Sequence, residues 1–155
     1  MKLRLVALNA RLPTWVAAGY AEYARRLARE FTLELVELKP EPRDRGKTTA
    51  QILAAEAARI ADATGGYHVV ALDERGQSWT TAEFAAKLAA WRERALAVAF
   101  VIGSADGLAP AVKRSADAVL ALSALTLPHG LARVVLAEQL YRATSMLSGH
   151  PYHRE

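Results

Sequence analysis

The spacing of apolar residues changes from segment to segment along the chain, and the changes predict its elements. "KLRLVALN" (2–9) alternates and then turns continuously apolar, like a strand entering a sheet. "PTWVAAGYAEYARRLAR" (13–29) opens with proline and carries apolar residues at helical spacing. "FTLELVEL" (31–38) alternates strictly with period two, as a half-exposed strand does, and an edge position would suit it. "TTAQILAAEAARIADA" (48–63) predicts an alanine-rich helix with a threonine able to cap it. "YHVVALD" (67–73) reads as a buried strand. "TTAEFAAKLAAWRER" (80–94) reads as a helix with a threonine cap and Glu83 in its first turn. "LAVAFVIG" (96–103) is continuously apolar, the kind of strand that a parallel sheet covers on both faces. A short helical turn near 109–115, a strand over 116–123 and a long helix over 129–147 complete the series.

Strands alternating with helices predict an α/β fold: an open, mostly parallel sheet flanked by helices. Ligands of such sheets bind beyond the carboxyl ends of the strands. That singles out three stretches, 72–73, 103–107 and 122–127. The last helix is apolar nearly all round at "VVLA" (134–137), whereas a helix covering one sheet face needs only one apolar stripe. Either the domain wraps this helix or a second subunit covers it.

Composition narrows the picture. The 155 residues, 52% of them hydrophobic, suffice for one domain, 1–155, with a core that needs no staples. The absence of cysteine excludes disulfides, thiolate-bound zinc and thiol nucleophiles. The start "MKLRLVALNA" lacks the apolar length of a signal peptide, and no apolar run reaches a membrane span. A soluble, cytoplasmic protein with no membrane partner is expected. A net charge of +4 and a pI of about 9.6 lean toward a polyanionic partner. The cations are dispersed, so solvated helix faces explain them equally well. "KPEPRDRGK" (39–47), with Arg43, Arg45 and Lys47, is the best candidate for a mobile basic arm.

Few segments carry chemistry. "RGKTT" (45–49) resembles the end of a phosphate-binding loop, but the spacing demands glycine where Glu41 stands, and no buried strand leads into it. "IGSADGL" (102–108) ends a strand in a Gly-x-x-x-Gly turn, which allows close approach of a ligand or simply a tight turn. "LSALTLPH" (122–129) is more informative: backbone N–H and C=O groups there suit the edge of an adenine, with leucines as walls. His129, His150 and His153 lack carboxylates at ligand spacing, and Pro151 interrupts the last two, so no metal site is expected. No serine stands in a nucleophile elbow. On the last helix Glu138 and Arg142 are four apart and suited to pairing, while Arg133 and Arg142 would equally suit phosphate. The tail "SGHPYHRE" (148–155) gathers two imidazoles, a phenol and a guanidinium where chain ends usually fray.

Taken together, "FVIGSADGL", "LSALTLPH", "RVVLAEQLYRA" and "HPYHRE" resemble the bacterial ribosomal large-subunit methyltransferase H family, small SPOUT-superfamily enzymes that methylate N3 of a pseudouridine in 23S rRNA. The resemblance runs essentially end to end, with Ser104 where the family commonly has a second glycine. It implies an α/β trefoil knot and S-adenosylmethionine as methyl donor. The donor contacts it implies are Leu72, Gly103, Leu122, Ser123, Ala124, Leu125, Thr126 and Leu127. It further implies a homodimer acting on 23S rRNA in the large subunit or the assembled ribosome, with the tail contributing to the active site and no metal. The imide N3 must lose a proton, so a base or a stabilising cation is needed. His153 is the candidate base, Arg154 the stabiliser, Tyr152 a stacking or hydrogen-bonding partner of the target base, and Arg142 a holder of a phosphate or of the donor's carboxylate. A SPOUT enzyme acting on tRNA and a non-catalytic RNA-binding module are the alternatives.

Overall fold

The structure, a computed structural model, describes residues 1–44 and 46–154, except for the side chain of His153. Five strands, β1 (Lys2–Leu8), β2 (Thr32–Leu38), β3 (His68–Ser78), β4 (Val98–Ile102) and β5 (Ala118–Ala121), form one sheet in the order β2-β1-β4-β3-β5. Every pairing is parallel. All five residues of the central β4 are buried, as its unbroken apolar run predicts. β2 lies at an edge, where Glu34 and Glu37 reach solvent, although its alternation breaks at Leu35 and Val36, both half-buried.

The pleat sorts the side chains into two cores. Leu3, Leu5, Val98, Phe100 and Val70 point to the face covered by α1 (Thr14–Ala24), α3 (Thr81–Glu93) and α5 (His129–Leu147). Val6, Leu8, Ala71 and Val101 point to the other face, under α2 (Thr49–Thr64) and α4 (Pro110–Ser115). Thr48 and Thr80 cap α2 and α3 in full capping boxes with Gln51 and Glu83, so both expected caps form.

α5 answers the question of its double apolar face. None of its residues is exposed. α1 lies against it so closely that a Cβ on Gly19 would stand 3.3 Å from Val134, and one on Gly130 3.1 Å from Val16. The domain itself wraps the helix.

Two elements differ from expectation. α1 ends at Ala24 rather than 29: Arg26 and Leu27 bond three residues back, tightening the chain so that Leu27 and Ala28 pack on the core. β3 does not end at Asp73. Residues 73–76 bulge out of the sheet, so that both Leu72 and Gln77 pair with Leu120. The strand re-enters at Gly76, whose hypothetical Cβ would lie 2.7 Å from backbone atoms of Val119 and Leu120. Only glycine permits that approach. Gly76→Ala is therefore expected to push β5 away and to cost about 1–3 kcal/mol, read as a lower urea midpoint with an unchanged m-value.

Candidate active site

The parallel sheet brings its carboxyl-end loops to one edge, and there they enclose a cavity of about 770 Å³. The size suits a small-molecule ligand. Leu72, Gly103, Leu122, Ser123, Leu125, Thr126 and Leu127 line it together, from loops up to 55 residues apart (72 to 127) in sequence. Ala124 belongs to the same loop, but it is exposed and forms no part of the wall. Ile102, Leu120, Leu122 and Leu127 make the walls apolar. Leu125 stands at the mouth, 75% exposed, an apolar side chain that nothing among the described residues covers.

Polar contacts fasten the rim. Thr126 Oγ1 donates to Glu74 Oε2 at 2.7 Å, joining the 122–127 loop to the β3 bulge. Lys113 Nζ of α4 donates to Asp73 Oδ2 at 3.0 Å. Burial works against the Asp73 carboxylate, but the Arg75 backbone N–H and the Lys113 ammonium outweigh it, and its pKa lies below the usual value. Gly103 is needed for a reason different from ligand approach: a Cβ there would stand 2.5 Å from the backbone of Gly107. The turn folds onto itself, with Gly107 at φ +78° and its N–H bonded to Ser104 O at 2.9 Å. Sequence reasoning missed Glu74, Arg75, Lys113 and Ala132 in the lining. A glycine inside "ERGQS" was the available sign of the bulge.

The tail sits elsewhere. α5 closes in a Schellman turn: His150 N bonds Ser145 O, Gly149 N bonds Met146 O, and Gly149 takes φ +71°. The chain then folds back as a 3-10 turn (Pro151–Arg154) along α5. Tyr152 packs on Tyr141 with ring centroids 4.3 Å apart, and its hydroxyl donates to Glu138 Oε1 at 3.2 Å. Arg142 pairs with Glu138 at 2.7 Å and lies 4.7 Å over the Tyr152 ring. Burial, then the Glu138 charge, push the Tyr152 pKa up to about 12. The phenol therefore stays protonated and is no base. Neither Tyr152 nor Arg142 nor the exposed Arg154 lines the cavity. Arg142 lies ten residues beyond Ala132 of the cavity wall, roughly 15 Å along the helix. The expected base His153 has its side chain outside the described residues.

Other expected residues also find partners. Arg133 is not free for phosphate: it is buried, bonded to Glu37 at 2.6 Å and to Asn9. The described part of the 39–47 segment is not a loose arm: Glu41 takes Lys47 and Arg59, and Arg43 reaches Asp106 at 2.7 Å; Arg45 lies outside the described residues. His129 borders the cavity while His150 follows the other end of the 19-residue α5, too far for the two to share a metal ion.

No helix among the described residues is long and apolar enough to cross a membrane. Solved structures support the fold. A probable methyltransferase from Bordetella pertussis superposes with a TM-score of 0.62 at 18% identity, over 92% of this chain and 94% of that one. A probable methylase family protein from Haemophilus influenzae gives 0.63 at 15% identity, over 97% of this chain and 69% of the other. Among curated proteins, the ribosomal RNA large subunit methyltransferase H of Nitrosospira multiformis is 55% identical over 155 residues, 99% of either chain. That of Burkholderia mallei is 53% identical over the same span. The family model described as a predicted SPOUT methyltransferase matches residues 1–153, and the chain belongs to that family.

Proposed function

We propose that this protein is a cytoplasmic, S-adenosylmethionine-dependent methyltransferase acting on N3 of a pseudouridine in 23S rRNA of the large ribosomal subunit. The observation that carries the reading is the cavity at the strand ends, with its leucine walls and the exposed Leu125 at its mouth. The relatives' name supplies the rRNA substrate. The residues present fit the donor: Leu72, Leu122, Leu125 and Leu127 would sandwich an adenine, backbone groups of 122–127 would meet its edge, and Ser123, Thr126 and Gly103 would take the polar remainder. The knotted path implied by the resemblance belongs to the same reading.

The donor supplies an electrophilic methyl group, and the protein's part is to position the acceptor and deal with its proton. Glu138 and Arg142 hold Tyr152 by charge, hydrogen bond and stacking. Arg142 is thus better read as the anchor of the tail than as a contact to phosphate. Tyr152, kept protonated with its hydroxyl donated to Glu138, offers a flat face to the target base, not a proton acceptor. His153 is left as the proton acceptor, and Arg154 as the cation that favours the N3 anion. Because the described tail residues line no part of their own chain's cavity, they serve the cavity of a second copy, in a homodimer.

Leu125→Asp should abolish calorimetric binding of S-adenosylmethionine while leaving the melting temperature within a few degrees, since the side chain is exposed. Deletion of 150–155 should leave donor binding intact and lower turnover on pseudouridylated ribosomes by roughly a hundredfold or more. Mixing the two inactive variants should restore activity through heterodimers; a mixture that stays inactive would place the tail in its own subunit's site. Tyr152→Phe should keep turnover within about threefold with an unshifted pH profile, because a phenol with a pKa of about 12 contributes no ionisation near neutrality. Donor binding without methylation of ribosomes, together with methylation of tRNA, would favour the tRNA reading; no donor binding at all would favour an RNA-binding module.

A further inference from the structure

Glu56 lies in the middle of α2 with 2% of its surface exposed. A carboxylate so buried is costly unless fully partnered. Its partners come from two loops distant in sequence. Ser104 Oγ, after β4, donates to Oε2 at 2.7 Å. The backbone N–H of Glu41, after β2, donates to Oε1 at 3.1 Å. Arg43 completes the cluster, 3.9 Å from Oε1, donating to Ser104 Oγ at 3.0 Å and pairing with Asp106 at 2.7 Å.

These partners border different spaces. Ser104 and Asp106 line the large cavity. Glu41 and Arg43 line a second, shallower concavity beside it, beyond the ends of β1 and β2. The buried carboxylate is a post to which both walls are tied. Packing alone would be served at lower cost by an apolar residue of similar size, as buried ion pairs generally show. What the charge adds is a fixed position for the 103–107 turn, because it accepts the hydroxyl of Ser104.

We propose that Glu56 is a positioning residue for the methyl donor. Through Ser104 it holds the 103–107 turn in the shape that completes the donor cavity, and through Glu41 and Arg43 it couples donor binding to the order of the 39–44 segment. The proposal rests on reading the large cavity as the donor site. Coupling of this kind is reciprocal: a donor that steadies the turn also steadies the segment.

The test measures S-adenosylmethionine affinity by calorimetry for wild type, Glu56→Gln, Ser104→Ala and the double variant, with melting temperatures alongside. Each single variant is expected to bind about tenfold more weakly, the scale of one hydrogen bond to a charged group. The double variant should lose little more than the worse single one, since the two residues act as a unit. Ser104→Ala keeps the assay decisive should Glu56→Gln fold poorly. The readout that a purely structural role would not move is hydrogen exchange at the Glu41 amide, which bonds Glu56 directly. Saturating donor should slow it in wild type and not in Ser104→Ala. Wild-type affinity in the folded variants, additive losses, or a Glu41 amide indifferent to donor would overturn the proposal. A wild-type protein that binds no donor would overturn the reading of the cavity as well, and so is distinguishable from failure of the network alone.

Discussion

The parallel placement of β4 between β1 and β3 is the constraint on which the rest depends. A strand buried on both faces cannot tolerate a polar side chain, and all five residues of β4 are apolar and enclosed. Parallel pairing then requires each connection to cross a face of the sheet, which puts helices on both sides. It also delivers the bulge within β3 and the loops after β4 and β5 to one edge. The cavity follows from the direction of the strands, before any particular loop residue is considered.

Local chemistry at that edge does the shaping. Gly76 lets β3 leave and rejoin the sheet, and the four residues thrown out supply Asp73, Glu74 and Arg75 to the wall. Glu74 and Asp73 then bind Thr126 and Lys113 from neighbouring loops. Gly103 and Gly107 let the next turn close on itself. Leu72 and Leu122 pack on the core and present their remaining surface to the cavity, while Leu125 stands exposed at its mouth. A site that buries polar groups against one another and leaves leucines open suits a ligand with a flat apolar face and a polar edge.

The tail belongs to a different part of the molecule. The Schellman turn at Gly149 reverses the chain, and Glu138, Tyr141 and Arg142 give Tyr152 a seat on α5. Tyr152 and Arg142 thus lie along the helix, away from the wall that Ala132 and His129 form at its start. The separation of cavity and tail within one chain is the observation behind the proposal that two copies share an active site.

The order of strands and helices, the capped starts of α2 and α3, the edge character of β2 and the buried character of β4 were legible in the sequence. Each depends on hydrophobic period or on a contact three residues away. The three stretches that build the cavity were legible too, since the direction of a parallel sheet decides which of them meet, although 72–73 opens a bulge within β3 rather than ending it. Other features depended on neighbours remote in sequence. The β3 bulge needs Leu120 opposite it, and the end of α1 at Ala24 needs the core that draws in Leu27 and Ala28. Arg133 and the 39–47 segment read as free cations until Glu37, Asp106 and Glu56 were placed beside them. A charge pattern along one chain says which groups want partners; only the tertiary structure decides which partners come within reach, because hydrogen bonds and ion pairs act over a few ångströms and the chain brings those ångströms together only when folded.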